Sequence, residues 1–227
     1  MSLETKTDLN LVQEPFPLKK ERRGGALNLL LASLILEAGR MLEEGRTVNE
    51  VEEASQRAFS GPEGILSFCQ RRGFSQIQAY LMYLAGPESE DELRKSYDNF
   101  FSLKSNIFSH PVDELTEIFG EEKNLELLDE MTVDLLVRRF WAVAFMVATE
   151  LVGSRIIDLE QLEEACEQEL GWQKGPFALM NQMGIQEAMR LVIEQLEISH
   201  RKEINFPVPP LLINQTQVNA PWVIRKQ

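Results

Sequence analysis

The side chains that most often carry out catalysis are scarce in this sequence. His110 and His200 are its only histidines, and Cys69 and Cys166 are its only cysteines. A histidine that abstracts a proton must lie within hydrogen-bonding reach of the substrate, and no motif places either histidine in that way. We expect both histidines on the surface or in loops. The two cysteines lie in segments with apolar periodicity, which is typical of small buried side chains in a reducing compartment.

Motifs for metal, nucleotide and nucleophile chemistry are also missing. The sequence contains no HExxH, CxxC or GxSxG motif and no phosphate-binding loop, so nothing points to metal, thiol or serine chemistry. It also lacks the GxGxxG fingerprint and the strand-rich half that would bind a dinucleotide. We therefore expect no metal site, no Rossmann domain and no cofactor bound by this chain alone.

The overall charge and length exclude further classes. The chain has 227 residues, a net charge of −13 and 44% hydrophobic residues, which is enough for one core or for two small domains that share an interface. The acidic balance argues against nucleic-acid binding, which needs a basic surface. The longest apolar run, 26–36, is shorter than the roughly 18–20 residues of a membrane span. We expect a buried helix there, no membrane span and a cytoplasmic location.

The segment GWQKGPFALMNQMG at 171–184 predicts a turn followed by a helix. Gly175 would let the chain turn tightly, and Pro176 would begin the helix, where its missing N–H group costs nothing. We expect Gly175 to adopt a backbone conformation that bulkier residues resist, and Phe177 to point into the core. A similar segment, SGPEGILSFCQRRG at 60–73, contains the corresponding Gly64 but lacks the Pro-Phe pair.

These two segments belong to a longer repetition. Gly64 and Gly175 are 111 residues apart (175 − 64), and the apolar positions around them keep the same phase. Two further pairs have the same offset, namely Gly73 with Gly184 and Ala54 with Ala165. Repetition at a fixed offset predicts two copies of one structural unit.

Each predicted unit has the same plan of four helices. An apolar helix ends near a glycine (Gly45 or Gly153) and is followed by an acidic helix, a glycine-bearing turn, a short helix that ends at Gly73 or Gly184, and a longer helix. The predicted bounds are 26–44, 48–58, 65–71 and 75–85 in the first unit, and 135–152, 159–169, 177–183 and 185–199 in the second. A capping box is predicted at the start of each acidic helix, from Thr47 with Glu50 and from Asp158 with Gln161.

The remaining segments complete an all-α prediction. A stripe of Leu93, Tyr97, Phe100 and Phe101 predicts a helix between the units, and no segment shows the sustained alternation of a strand. The C-terminal segment is expected to be extended. The predicted organisation is a tail or linker at 1–21, a first helical unit at 22–86, a helical connection at 87–134, a second helical unit at 135–204 and a C-terminal tail at 205–227.

Several of these motifs together resemble a known family. Gly24-Gly25-Ala26-Leu27-Asn28 is followed nine residues later by Glu37-Ala38, and Glu43-Glu44-Gly45 closes the helix within LILEAGRMLEEG. With GWQKGPFALMNQMG and Pro209-Pro210-Leu211-Leu212, this order is similar to the C-terminal helical domain of NAD-dependent 3-hydroxyacyl-CoA dehydrogenases. The tandem arrangement resembles that of multifunctional β-oxidation enzymes. The resemblance spans most of 22–212.

The resemblance implies a fold, an activity and a partner. The implied fold is a helical domain like the C-terminal domain of 6-phosphogluconate dehydrogenase. In the family, a separate Rossmann domain binds NAD and carries the catalytic histidine and glutamate. The implied role is therefore a substrate and dimerisation domain for the NAD-dependent oxidation of 3-hydroxyacyl-CoA in fatty acid β-oxidation, not competent alone. The implied partners are that Rossmann domain, an acyl-CoA substrate and a second copy of the chain.

The resemblance also implies site residues. Asn28 matches a family amide that reaches the active site, where it can orient an imidazole without titrating. Gly64, Gly175, Pro176 and Phe177 match a turn that is structural first and also borders the acyl-CoA cleft. The sequence departs from the family pattern beside Asn28, with Leu29 in place of an arginine and Gly25 in place of a bulky apolar residue. Two alternatives therefore stay open, an Asn28 amide that is buried in the helix bundle and a non-catalytic interaction module.

Overall fold

The protein is described by a computed structural model that covers residues 22–87, 89, 91–102, 105–120 and 128–225. Within these ranges there are twelve α-helices, one short 3-10 helix and no strand, so the all-α prediction is confirmed. The tail predicted at 1–21 lies outside the described residues. The helices are α1 Arg22–Glu43, α2 Val48–Phe59, α3 Ile65–Arg72, α4 Phe74–Ala85, α5 Glu92–Ser96, α6 Asp98–Phe101, α7 Val112–Gly120, α8 Glu130–Gly153, α9 Leu159–Glu169, α10 Pro176–Met183, α11 Ile185–Arg201 and α12 Pro210–Val218, with the 3-10 helix at Ile107–Ser109.

Helices α1 and α8 form the centre of the molecule. Both are apolar around most of their circumference, and long stretches of each are fully buried, among them Leu30 and Leu34 of α1 and Phe140 and Phe145 of α8. The two helices pack against each other, while α2 packs on α8 and α9 packs on α1. A helix that is apolar on all sides is shielded from water only when other helices surround it. The composition of α1 and α8 therefore accounts for their central position.

The helices predicted for the two units are present in the predicted order. Helices α2 to α4 and α9 to α11 begin and end within one or two residues of the sequence-based bounds. Gly73 and Gly184, both with φ of 93°, separate the short helix from the longer one in each unit. Helix α8 begins at Glu130, inside the segment predicted as connection, because the Asp129 carboxylate accepts a hydrogen bond from the backbone N–H of Met131.

The two predicted capping boxes have different outcomes. At the start of α2, the Thr47 hydroxyl accepts from the backbone N–H of Glu50, and the Glu50 carboxylate accepts from the backbone N–H of Thr47 at 2.9 Å. This capping box is confirmed. The one predicted from Asp158 is wrong, because the Asp158 side chain makes no capping hydrogen bond to α9.

The connection between the units is helical, but in shorter pieces than predicted. The aromatic stripe forms two short helices, α5 and α6, which are separated at Tyr97, where ψ is 39°. The predicted apolar face is nevertheless buried, and Phe100 packs on Phe206 with 4.1 Å between ring centroids. The connection therefore adds an aromatic layer to the core of the bundle.

The C-terminal segment is not extended as predicted, because it contains α12. Pro210 is the first residue of this helix, a position where its fixed φ is favourable, and Asn219 ends the helix in the left-handed conformation with φ of 52°. Leu212 is fully buried, and α12 packs against α8 and α11. Burial of this leucine explains why a short segment that begins with two prolines is helical.

Among the described residues, one helix is long and apolar enough to span a membrane. It is the Gly25–Glu43 part of α1, and it is 89% buried inside the fold. The core helix of a soluble protein passes the same test, so the expectation of no membrane span stays a prediction.

Candidate functional site

A buried glutamate binds the start of α10. Glu163 of α9 accepts hydrogen bonds from the backbone N–H of Phe177 to Oε1 (2.8 Å) and from that of Ala178 to Oε2 (3.1 Å). The first N–H groups of a helix have no partner within the helix. A carboxylate at this point accepts their hydrogen bonds, and its negative charge interacts favourably with the positive end of the helix dipole. We call this arrangement the α10 clasp.

A second glutamate binds the start of α3 in the same way. Glu52 Oε2 accepts from the backbone N–H groups of Leu66 (3.0 Å) and Ser67 (3.2 Å). We call this arrangement the α3 clasp. Each of its three residues lies 111 positions before its counterpart in the α10 clasp. Each glutamate also lies in the acidic helix that precedes the turn, so one local pattern produces both clasps.

The clasps explain the two glycines differently from the sequence-based prediction. Gly175 has φ of −75°, a conformation open to any residue, so the predicted backbone constraint is wrong. Space is the reason for a glycine at this position. A Cβ atom on Gly175 would lie 2.4 Å from Glu163 Oε1, and one on Gly64 would lie 2.5 Å from the carboxyl carbon of Glu52. A side chain at either position would displace the glutamate.

The α10 clasp has an unusual acid–base character. Burial raises the pKa of Glu163 to about 7, against the opposing effect of its two backbone hydrogen bonds. A carboxylate with this pKa is partly protonated near neutral pH. The contact between α9 and α10 therefore depends on pH.

The residues after Gly175 are structural. Pro176 begins α10, and Phe177 is fully buried with its ring 5.0 Å from that of Trp222, edge to face, so both sequence-based predictions are confirmed. Gly64 borders a cavity of only about 30 Å³, far below the volume of an ordinary ligand site. A role of these residues toward acyl-CoA stays a prediction.

Asn28 lies in the first third of α1 and does not face open solvent. Only 4% of the residue is exposed, because α1 is surrounded by other helices along this stretch. The open, cleft-facing amide expected from the family resemblance is therefore not observed. Gly39 lies three turns further along the same face. There the chain packs closely against Ser105 and Phe108 of the connection.

A buried ionic cluster, which the sequence analysis missed, links α1, α8 and α11. Glu37 is 1% exposed and accepts from Arg139 Nε (2.9 Å) and from the side-chain amide of Gln195 (3.0 Å). Arg139 also donates to Glu44 at 2.6 Å. Burial alone would lower the pKa of Arg139, but the charges of Glu37 and Glu44 raise it. The four side chains therefore form one charged, paired cluster.

Arg40 is a second buried cation beside this cluster. It is 4% exposed, donates to the Phe100 carbonyl at 2.7 Å and stacks over the Phe100 ring at 4.1 Å. Burial lowers the pKa of Arg40, while the nearby Glu37 carboxylate opposes that shift. Arg40 thereby attaches the connection to α1 through one charge-assisted hydrogen bond and one cation–π contact.

A cleft opens between α8 and α11 next to the ionic cluster. Its volume is about 230 Å³. Its apolar walls are Leu135, Leu136 and Ala142 of α8 and Leu191 and Ile198 of α11. Three arginines, one glutamate and Gln195 also line it. We call it the α8/α11 cleft. It combines apolar walls with a few charged groups, as sites for small ligands do.

The same offset relates this cleft to Asn28. Arg139 lies 111 residues after Asn28, so the segment predicted as the second unit has a paired guanidinium at the position that corresponds to the buried amide in the segment predicted as the first. The 111-residue offset therefore pairs Asn28 with Arg139 in the sequence alone. The glutamate pair Glu52 and Glu163 repeats at the offset as well, twelve residues before Gly64 and Gly175, but a link from a side chain to a backbone in another helix is not visible in periodicity.

Comparisons with known proteins found no matching family model, no matching curated protein and no matching solved structure. Within the described residues there is also no group of three or more histidine, cysteine or acidic side chains that could hold a metal ion. The functional argument therefore rests on the residues of this chain.

Proposed function

We propose that this chain is a helical domain of the 3-hydroxyacyl-CoA dehydrogenase type, which works with a nucleotide-binding domain on the same or another chain. In this proposal the partner domain binds NAD and supplies the proton-abstracting group. This chain supplies the acyl side of the cleft and a surface for association. The complete reaction is the oxidation of a 3-hydroxyacyl-CoA to the 3-oxoacyl-CoA, with hydride transfer to NAD.

The observation that carries the proposal is the occurrence of two glutamate clasps at one offset. The same helix order, the same close approach of a glycine and the same pair of backbone hydrogen bonds recur after 111 residues. These contacts support the view that 22–86 and 135–204 are copies of one unit, as in the tandem helical domains that the sequence resembles. The activity follows from that resemblance and not from a catalytic group in this chain.

The proposal is tested first on the isolated chain. We expect no binding of NADH in calorimetry and no NADH oxidation in an absorbance assay with acetoacetyl-CoA, because the chain lacks a dinucleotide fingerprint and a placed general base. NADH oxidation by the pure chain would refute the division of labour, since it would require a complete active site within these residues.

The burial of Asn28 favours a second candidate function. With 4% of Asn28 exposed, the amide cannot contact a substrate without movement of the helices around it. The alternative is a helical interaction module that kept the fold and lost the chemistry. The two candidates differ in one measurement. Asn28→Leu slows turnover of the assembled enzyme by about 10–1000-fold if the amide acts in the active site, whereas an interaction module gives no turnover with a nucleotide-binding domain, with either Asn or Leu at position 28.

A further inference from the structure

The inner walls of the α8/α11 cleft are apolar. Leu136, Ala142 and Leu191 form its inner walls and are at most 3% exposed. Leu135 at its edge is 57% exposed, and Met131, one turn before it on the same face of α8, is 72% exposed. Burying apolar surface of this kind is favourable, so a ligand that covers Leu135 gains affinity from it.

The charged residues of the cleft are unevenly paired. Arg46 is exposed, and its charge is felt by the nearby Asp129, where it helps to lower the pKa of the carboxyl group. Arg138 has only long ion pairs, 3.5 Å to Glu187 and 3.9 Å to Glu194. Both of these glutamates pair more closely with Arg190. In a chain with a net charge of −13, two loosely paired arginines beside an apolar wall favour a negatively charged head group.

From the apolar walls and the two arginines we propose that the α8/α11 cleft binds a medium-length carboxylate, a ligand with one unbranched apolar chain and one anionic head group. The chain lies along the leucine walls, and the carboxylate lies between Arg46 and Arg138. A cavity of about 230 Å³ is smaller than the about 300 Å³ at which sites for drug-sized molecules begin, so the ligand is smaller than a drug-sized molecule. This site does not depend on the proposed dehydrogenase function.

Calorimetry of the full chain with octanoate at pH 7 tests the proposal. We expect a dissociation constant on the order of 1 mM or tighter. Affinity should increase from butanoate to octanoate by up to about fourfold for each methylene group that enters the cleft. Octanol, which has the same chain without the charge, should bind more weakly than octanoate.

Substitutions at exposed positions locate the site without disturbing the core. Arg46→Gln and Arg138→Gln should each weaken octanoate binding by about 2–5-fold, in the range of exposed ion pairs. Leu135→Gln should weaken it through the loss of apolar contact. Arg201→Gln, on the same helix as Ile198 but outside the cleft lining, is the matched control and should bind octanoate like the natural chain.

Three results would overturn the proposal. These are no heat of binding at millimolar octanoate, equal affinity for octanol and octanoate, and unchanged affinity in the Arg46 and Arg138 variants with a folded helical spectrum. None of them bears on the dehydrogenase proposal, which rests on the glutamate clasps and on turnover with a nucleotide-binding domain.

Discussion

The replacement of Gly175 by alanine tests the structural role of the α10 clasp. The new Cβ would lie 2.4 Å from Glu163 Oε1 and 2.6 Å from its carboxyl carbon. Both distances are too short for non-bonded contacts of a carbon atom with oxygen or carbon, so the carboxylate must move away. The movement breaks the hydrogen bonds from Phe177 and Ala178 and leaves the first N–H groups of α10 without an acceptor.

The size of the effect follows from these two hydrogen bonds. A hydrogen bond contributes about 0.5–1.5 kcal/mol when the acceptor is neutral and about 1.5–3 kcal/mol when it is charged. Because the pKa of Glu163 is raised to about 7, both forms are present near neutral pH, and partial rearrangement of Glu163 retains some of the stabilisation. Alanine offsets about 0.4–1 kcal/mol by restricting the unfolded chain, since φ of −75° is favourable for it. We expect a net loss of about 2–3 kcal/mol of unfolding free energy, which lowers the melting temperature by about 4–12 °C for a chain of this size.

Thermal unfolding followed by circular dichroism measures this loss. The matched control is Gly25→Ala, because a Cβ at Gly25 in α1 meets no atom within 4 Å. Alanine at this helical position should be neutral or stabilise by about 0.5–1 kcal/mol. If Gly175→Ala melts at the same temperature as the natural chain or above it, the close approach of Glu163 is not what requires a glycine.

Three further predictions concern buried groups. First, the pKa of Glu163 is raised to about 7, so its contribution to stability is complete below its unfolded pKa of about 4.5 and is lost as pH rises through about 7. In urea unfolding from pH 5 to 8, the free energy of unfolding should therefore decline less in Glu163→Gln than in the natural chain. An equal decline would contradict the assignment. Second, Arg139→Met leaves the buried Glu37 with only the longer Arg40 ion pair at 3.6 Å, and it should cost about 3–5 kcal/mol in urea unfolding. Arg57→Met at the exposed Arg57–Glu130 pair should cost at most about 1 kcal/mol, and equal losses would refute the ranking. Third, Asn28→Leu should lower stability by about 1–3 kcal/mol if the buried amide is hydrogen-bonded, and an unchanged melting temperature would mean that leucine packs there equally well.

Much of the helical framework could be predicted from the sequence because its signals are local. Apolar periodicity and glycine positions place the helices from α1 to α4 and from α8 to α11, and Thr47 with Glu50 specifies its own cap three residues away. These signals need no knowledge of distant partners. For the same reason the sequence leaves the burial of Asn28 open, since burial depends on which helices surround α1 and not on the residues beside it.

The contacts that define the candidate sites join distant segments. Glu37 and Arg139 are 102 residues apart in the chain, and no local pattern relates them. The α12 helix was missed because two prolines indicate a break, whereas burial of Leu212 against α8 stabilises a helix. The α8/α11 cleft has no sequence signature either, because it is defined by side chains that do not fill the space between two helices.

Complementation with a nucleotide-binding domain tests the central claim most directly. The assay measures NADH oxidation with acetoacetyl-CoA by a 3-hydroxyacyl-CoA dehydrogenase from which the helical domain has been removed, with and without this chain. The proposal predicts no turnover by either part alone and measurable turnover when they are combined or fused. Turnover by this chain alone, or no gain when the two parts are combined or fused, would contradict the claim that it is the helical domain of such an enzyme.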